Sequence, residues 1–101
     1  MAMETALLNY TVPQVIQLIK EMLTKQGYKI EQIDQERTIV LAYRDGKWFR
    51  SPWHVLFQIS SIDNSFTRVD VTATIESRKK SKTDEEILEE EIVSNIYEYV
   101  H

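Results

Sequence analysis

The sequence predicts an α+β fold of order αββββα, a two-layer domain in which a four-stranded antiparallel meander sheet carries an N-terminal and a C-terminal helix on one face. Three observations carry this. Two stretches near the ends of the chain repeat apolar residues at steps of three and four. The residues between them fall into short alternating or β-branched runs, and the links between those runs are too short for parallel crossovers. The chain has 101 residues, 43% of them hydrophobic and 28% charged, which suits one domain (1–101) with one core.

Residues 1–9 have no long periodic run and are expected to be a flexible terminus. The first helix is expected over 11–27. Thr11 and Gln14 have capping-box spacing, Tyr10 and Val15 sit at staple positions, and Pro13 is tolerated in a first turn whose amides have no intrahelical acceptor. Val12, Val15, Ile16, Ile19, Met22 and Leu23 form its apolar stripe, and Gly27 should end it in a left-handed conformation.

Strands are expected at about 28–34, 37–44, 47–61 and 65–77. In the first, Tyr28 and Ile30 alternate with polar residues but Ile33 breaks the step, which requires an irregularity near Gln32 or a short strand. TIVLAYR (38–44) is β-branched and aromatic, and Asp45-Gly46 after it is a two-residue hairpin signal. Trp53, Val55, Phe57 and Ile59 alternate with His54, Leu56, Gln58 and Ser60, with Pro52 at the strand start. Asp63-Asn64-Ser65 marks a turn. Beyond it Val69, Val71, Ala73 and Ile75 face one way and Arg68, Asp70, Thr72 and Thr74 the other. A polar connector, SRKKSK, leads to a helix over 83–100 that Thr83 and Glu86 would cap, with Leu88, Ile92, Ile96 and Tyr99 facing inward.

Several chemistries are disfavoured. The absence of cysteine excludes disulfides, thiolate metal sites, thiol nucleophiles and lipid attachment through cysteine. No apolar run approaches a membrane span, and MAMETALLNYT lacks the basic start of an export signal, so a cytoplasmic protein without membrane association is expected. His54 and His101 have no ligand spacing, Gly27 and Gly46 stand alone, and the serines lack a nucleophile-elbow context. The carboxylates gather on the last helix at positions read as exposed, with no pair singled out by an apolar setting. Catalysis therefore has no evident machinery, and no metal or cofactor is expected.

The unusual stretch is YRDGKWFRSPWH (43–54), where Arg44, Lys47 and Arg50 interleave with Trp48 and Trp53. Cations beside aromatic faces suit a ligand or partner surface, though such residues also pair across hairpins for structural reasons. Residues 83–101 carry seven acidic residues and no basic one, leaving 1–82 at +3 within a net charge of −4. That overall balance argues against nucleic acid without excluding it.

The run VIQLIKEMLTKQGYKIEQID, a helix leading into GYKI, followed by alternating strands and a terminal helix, resembles small helix-grip or TBP-like domains. Those meant are the repeated domains of BamC-type outer-membrane assembly lipoproteins and related bacterial proteins of unknown function. The likeness spans residues 11–100. It implies an interaction module more than a catalyst, and no functional residue is carried over by it. The leading expectation is a protein-interaction or self-association domain, with a homodimer as the expected form, using the outer sheet face or an edge strand. The alternatives are a small-ligand pocket between helices and sheet, lined by Trp48, Trp53, Tyr97 and Tyr99, or weak nucleic-acid binding through hairpin 43–54.

Overall fold

The structure is a computed structural model and describes residues 4–45, 52–76 and 82–100. Its elements are β1 (Glu4–Leu8), α1 (Val12–Lys25), β2 (Lys29–Asp34), β3 (Ile39–Arg44), β4 (Trp53–Ser61), β5 (Thr67–Ile75) and α2 (Lys82–Val100). The sheet has five strands, not four, in the order β1-β5-β4-β3-β2, with every pair antiparallel. The α+β class and the meander β2–β5 stand, and the segment expected to be a flexible terminus supplies the added edge. β1 pairs with β5 from Glu4↔Val71 to Leu8↔Thr67, burying Ala6 and Leu8 while Thr5 and Leu7 face outward. Five residues carry too little alternation to announce a strand, and the partner residues lie about 60 or more positions away.

α1 begins as the spacing requires. The Thr11 hydroxyl accepts from the Gln14 amide, and the Gln14 side chain accepts from the Thr11 amide at 2.9 Å. It ends in a Schellman arrangement: the Tyr28 amide reaches the Leu23 carbonyl at 2.9 Å and the Gly27 amide the Thr24 carbonyl at 3.2 Å. Gly27 takes φ +83° to allow this.

The irregularity in β2 is a bulge at Glu31. Ile30 pairs with Ala42 and Gln32 with Leu41, so Ile30 and Ile33 both reach the inner face despite their odd spacing.

The expected two-residue hairpin at Asp45-Gly46 is corrected by the ladder. Such a turn would set Arg44 against Lys47, whereas Arg44 pairs with Trp53, leaving eight residues between the strands. Gly46 itself lies outside the described residues. Both registers keep the same faces inward, and the observed one sets Val40 against Phe57 and Ala42 against Val55, all four with no exposure.

The turn at 63–65 forms as expected, with the Asp63 carboxylate accepting from the amides of Ser65 and Phe66 at 2.8 and 2.9 Å. These bonds, the Ser65 amide first, hold its carboxyl below the usual range. α2 starts at Lys82, so Thr83 lies within the first turn instead of ahead of it.

Both helices cover one face of the sheet, and one core joins Val15, Ile19, Met22 and Leu23 of α1 and Ile92 and Ile96 of α2 to the inward residues of all five strands. Among the described residues no helix is long and apolar enough to cross a membrane.

Candidate functional site

Tyr28, Arg44, Trp53 and Ile75 form one inward row at one end of the sheet, continuing the register Arg44↔Trp53↔Ile75. The Trp53 indole donates to the Tyr28 hydroxyl at 2.9 Å, their rings meeting edge to face at 6.2 Å. The Arg44 guanidinium lies 5.5 Å from each ring centre. Burial pushes the Tyr28 phenol up. Of the five predicted surface residues, the structure therefore brings Arg44 and Trp53 together, with Trp53 buried. Lys47, Trp48 and Arg50 lie outside the described residues.

The pocket expected from Trp48, Trp53, Tyr97 and Tyr99 does not assemble among its described members. Tyr97 accepts from the Leu7 amide at 2.9 Å, at the end of β5 opposite Trp53. Tyr99 turns toward α1, donating to Glu21 at 3.2 Å with Lys25 Nζ 5.1 Å from its ring centre. Between the helices, the packing of Leu18, Ile19, Met22 and Ile96 leaves no room for a water-sized molecule.

A groove opens instead beside that packing, where β1, the start of β5 and the end of α2 meet. It encloses about 350 Å³ and is lined by Leu7, Leu8, Tyr10, Phe66, Tyr97 and Val100, with Asn9 as its polar member. Leu7 is 54% exposed, Phe66 42% and Tyr97 36%, so three of the five exposed large hydrophobics among the described residues gather here. Tyr10 continues into a shallower groove along α1, bounded by Pro13, Gln14, Gln17, Leu18 and Glu21. Tyr97 was in the expected pocket, but Leu7 and Phe66 were missed: one sat in the expected flexible terminus, and the other lay within the expected strand 65–77 without being assigned to either face, one residue before the observed β5.

Two polar arrangements stand apart. On the outer sheet face His54 lies between Glu31, 3.2 Å from Nδ1, and Glu76, 2.7 Å from Nε2. On α2, Glu89 is 1% exposed: its Oε2 accepts from the Ala73 amide at 2.7 Å, while Oε1 has no hydrogen-bond partner among the described residues. This corrects the reading of the last helix's carboxylates as exposed. Burial is the main cause holding the Glu89 carboxyl above the usual range. The signal was present: Glu85, Glu89, Ile92 and Ile96 fall at steps of four, three and four.

No protein-family model matches this chain, and no curated protein matches it. Solved structures do. The di-domain ARO/CYC StfQ from the steffimycin biosynthetic pathway matches 99% of this chain at TM-score 0.67 and 11% identity. The di-domain ARO/CYC BexL from the BE-7585A biosynthetic pathway matches 97% at TM-score 0.64 and 6% identity. In each case the match covers 43% of the other chain, so this chain corresponds to less than half of either protein. At these identities the likeness shows the fold, which is helix-grip-like; it supports that part of the expected resemblance and not its BamC-type assignment.

Proposed function

We propose that this chain is a small-ligand-binding domain whose ligand, an uncharged and largely apolar molecule, lies in the groove between β1, the start of β5 and the end of α2. The observation that carries this is the gathering of exposed Leu7, Phe66 and Tyr97 around one hollow of about 350 Å³, within the size range of small-molecule sites. The lining contains no charged side chain and offers a carboxamide and two phenols, so recognition rests on apolar contact with one or two hydrogen bonds. The helix-grip-like fold lends support, since the two similar proteins are di-domain ARO/CYC proteins of the steffimycin and BE-7585A biosynthetic pathways. A second reading, self-association or protein binding, is favoured by β1, an edge strand beside the same patch.

Nile red, an uncharged apolar dye, provides the test. Its fluorescence should rise saturably with a monomeric protein. Phe66→Ser should weaken binding about fivefold, because completing the burial of a residue that is 42% exposed is worth about 1 kcal/mol. No saturable signal, or one unchanged by Phe66→Ser and Leu7→Thr, overturns the ligand reading. Light scattering that shows a dimer dispersed by those substitutions establishes the second reading instead.

A further inference from the structure

The outer face of the sheet carries a charged cluster that the groove does not use. His54 on β4 stands in one cross-strand row with Tyr43 on β3 and Thr74 on β5. Its ring lies 4.9 Å from the Tyr43 ring. Nδ1 reaches Glu31, the bulge residue of edge strand β2, and Nε2 reaches Glu76, just past the end of β5. Tyr43 donates to Asp45 at 2.5 Å, and Lys29 Nζ lies 4.0 Å from Asp45. Among the described residues, Glu31, Tyr43, Asp45, Lys29 and Glu76 are thus the titratable groups around the imidazole.

A neutral imidazole has one N–H and one lone pair. With both carboxylates ionised, a neutral ring would set its lone pair against one of them, whereas the imidazolium hydrogen-bonds Glu76 and attracts Glu31, 3.2 Å away, as an ion pair. Both contacts are therefore attractive only with a proton on each nitrogen, and losing one weakens the hold on one carboxylate. The Glu31 contact is longer by 0.5 Å, so Nδ1 is the position that lets go. We propose that His54 is a proton-operated clasp that holds the bulge of edge strand β2 to the far side of the sheet. Hydrogen bonding to Glu76, the largest influence, holds His54 above the ordinary histidine range against the opposing effect of burial. The clasp contribution is complete below the pKa His54 has when β2 is detached, and it is lost as pH rises through the higher value it has in the closed sheet.

The experiment follows the His54 ring and the β2 amides by NMR in the full chain, with His101→Gln to leave one histidine. His54 should titrate above an exposed histidine, Glu31→Gln and Glu76→Gln should each lower that value, and the pair together should restore the ordinary range. After correction for intrinsic exchange, hydrogen-exchange protection across residues 29–34 should fall through the same pH interval, about tenfold per pH unit within it. In Glu31→Gln that fall should be absent. An ordinary titration of His54, or wild-type β2 protection that does not change across its titration, overturns the proposal.

Discussion

Replacing Glu89 with methionine keeps the length of the side chain and removes the acceptor that α2 lends to the sheet. β4 runs along one side of β5 for its whole length, but among the described residues β1 covers the other side only as far as Glu4↔Val71. Beyond that point the Ala73 amide donates to Glu89 at 2.7 Å and the Ile75 amide to Glu85 at 2.9 Å, so two carboxylates one helical turn apart serve β5 amides past the last described β1 pair. Methionine leaves the Ala73 N–H unpaired inside the protein, a loss of about 1–3 kcal/mol. It also removes a buried carboxyl with one oxygen unpartnered, which is a gain wherever that carboxyl is ionised. The two effects separate with pH. Because the folded-state pKa of Glu89 is raised, its contribution is complete below the ordinary glutamate range and is lost as pH rises through the raised value. Glu89→Met should therefore fall furthest below the wild type in acid and approach it toward neutrality. Glu89→Gln keeps a carbonyl for Ala73 and cannot ionise, so it should lie within about 1 kcal/mol of the wild type in acid and gain on it as pH rises. Urea unfolding followed by circular dichroism at pH 4.5 and 7.5 reads both, a shift of about 2 kcal/mol moving the midpoint by roughly 1 M at unchanged slope. Equal stability of Glu89→Met and wild type in acid would refute the capping role. A gap between Glu89→Gln and wild type that ignores pH would refute the buried acid.

Gly27→Ala isolates a backbone effect. The added Cβ would meet nothing within 4 Å, so its whole cost comes from holding alanine at φ +83°, about 1–2 kcal/mol, and calorimetry should show a melting point lower by several degrees. At Tyr43, the hydrogen bond to Asp45 pushes the phenol up to about 12. Asp45→Asn should bring one tyrosine back toward its ordinary range in an alkaline absorbance titration, and a curve identical to the wild type counts against the bond.

The parts of the fold legible in the sequence are those set by neighbours along the chain. The Thr11 capping box, the left-handed Gly27 and the Asp63 turn each depend on contacts within about five residues, and each forms as its residue types require. The bulge at Glu31 was legible as a break in the step between Ile30 and Ile33. What escaped depends on distant partners. β1 has meaning only beside β5, and the Asp45-Gly46 signal lost to a register that sets Val40 against Phe57 and Ala42 against Val55. Glu89 looked like one more member of an acidic helix, because the amide it serves lies past Glu4↔Val71, the last described pair of a strand the sequence did not announce. The groove was illegible for the same reason: Leu7, Phe66 and Tyr97 come from three separate elements and meet only after β1 docks.

The way β1 is finished also bears on which reading of the groove is stronger. An edge strand invites another chain when its outward amides are free and its length allows several bonds in succession. β1 has five residues, and the Leu7 amide, which points away from β5, already donates to the Tyr97 hydroxyl. A strand added there would have to displace that hydroxyl, and Tyr97 would then lose its place in the wall of the groove. The same contact leaves the ring of Tyr97 and the side chains of Leu7 and Phe66 open to solvent, a surface suited to an apolar molecule lying against side chains. On the β1 side of the sheet α2 thus supplies partners for three amides, carboxylates at Ala73 and Ile75 and a phenol at Leu7. The attraction left at this end of the molecule belongs to apolar side chains, which favours a small ligand over an added strand.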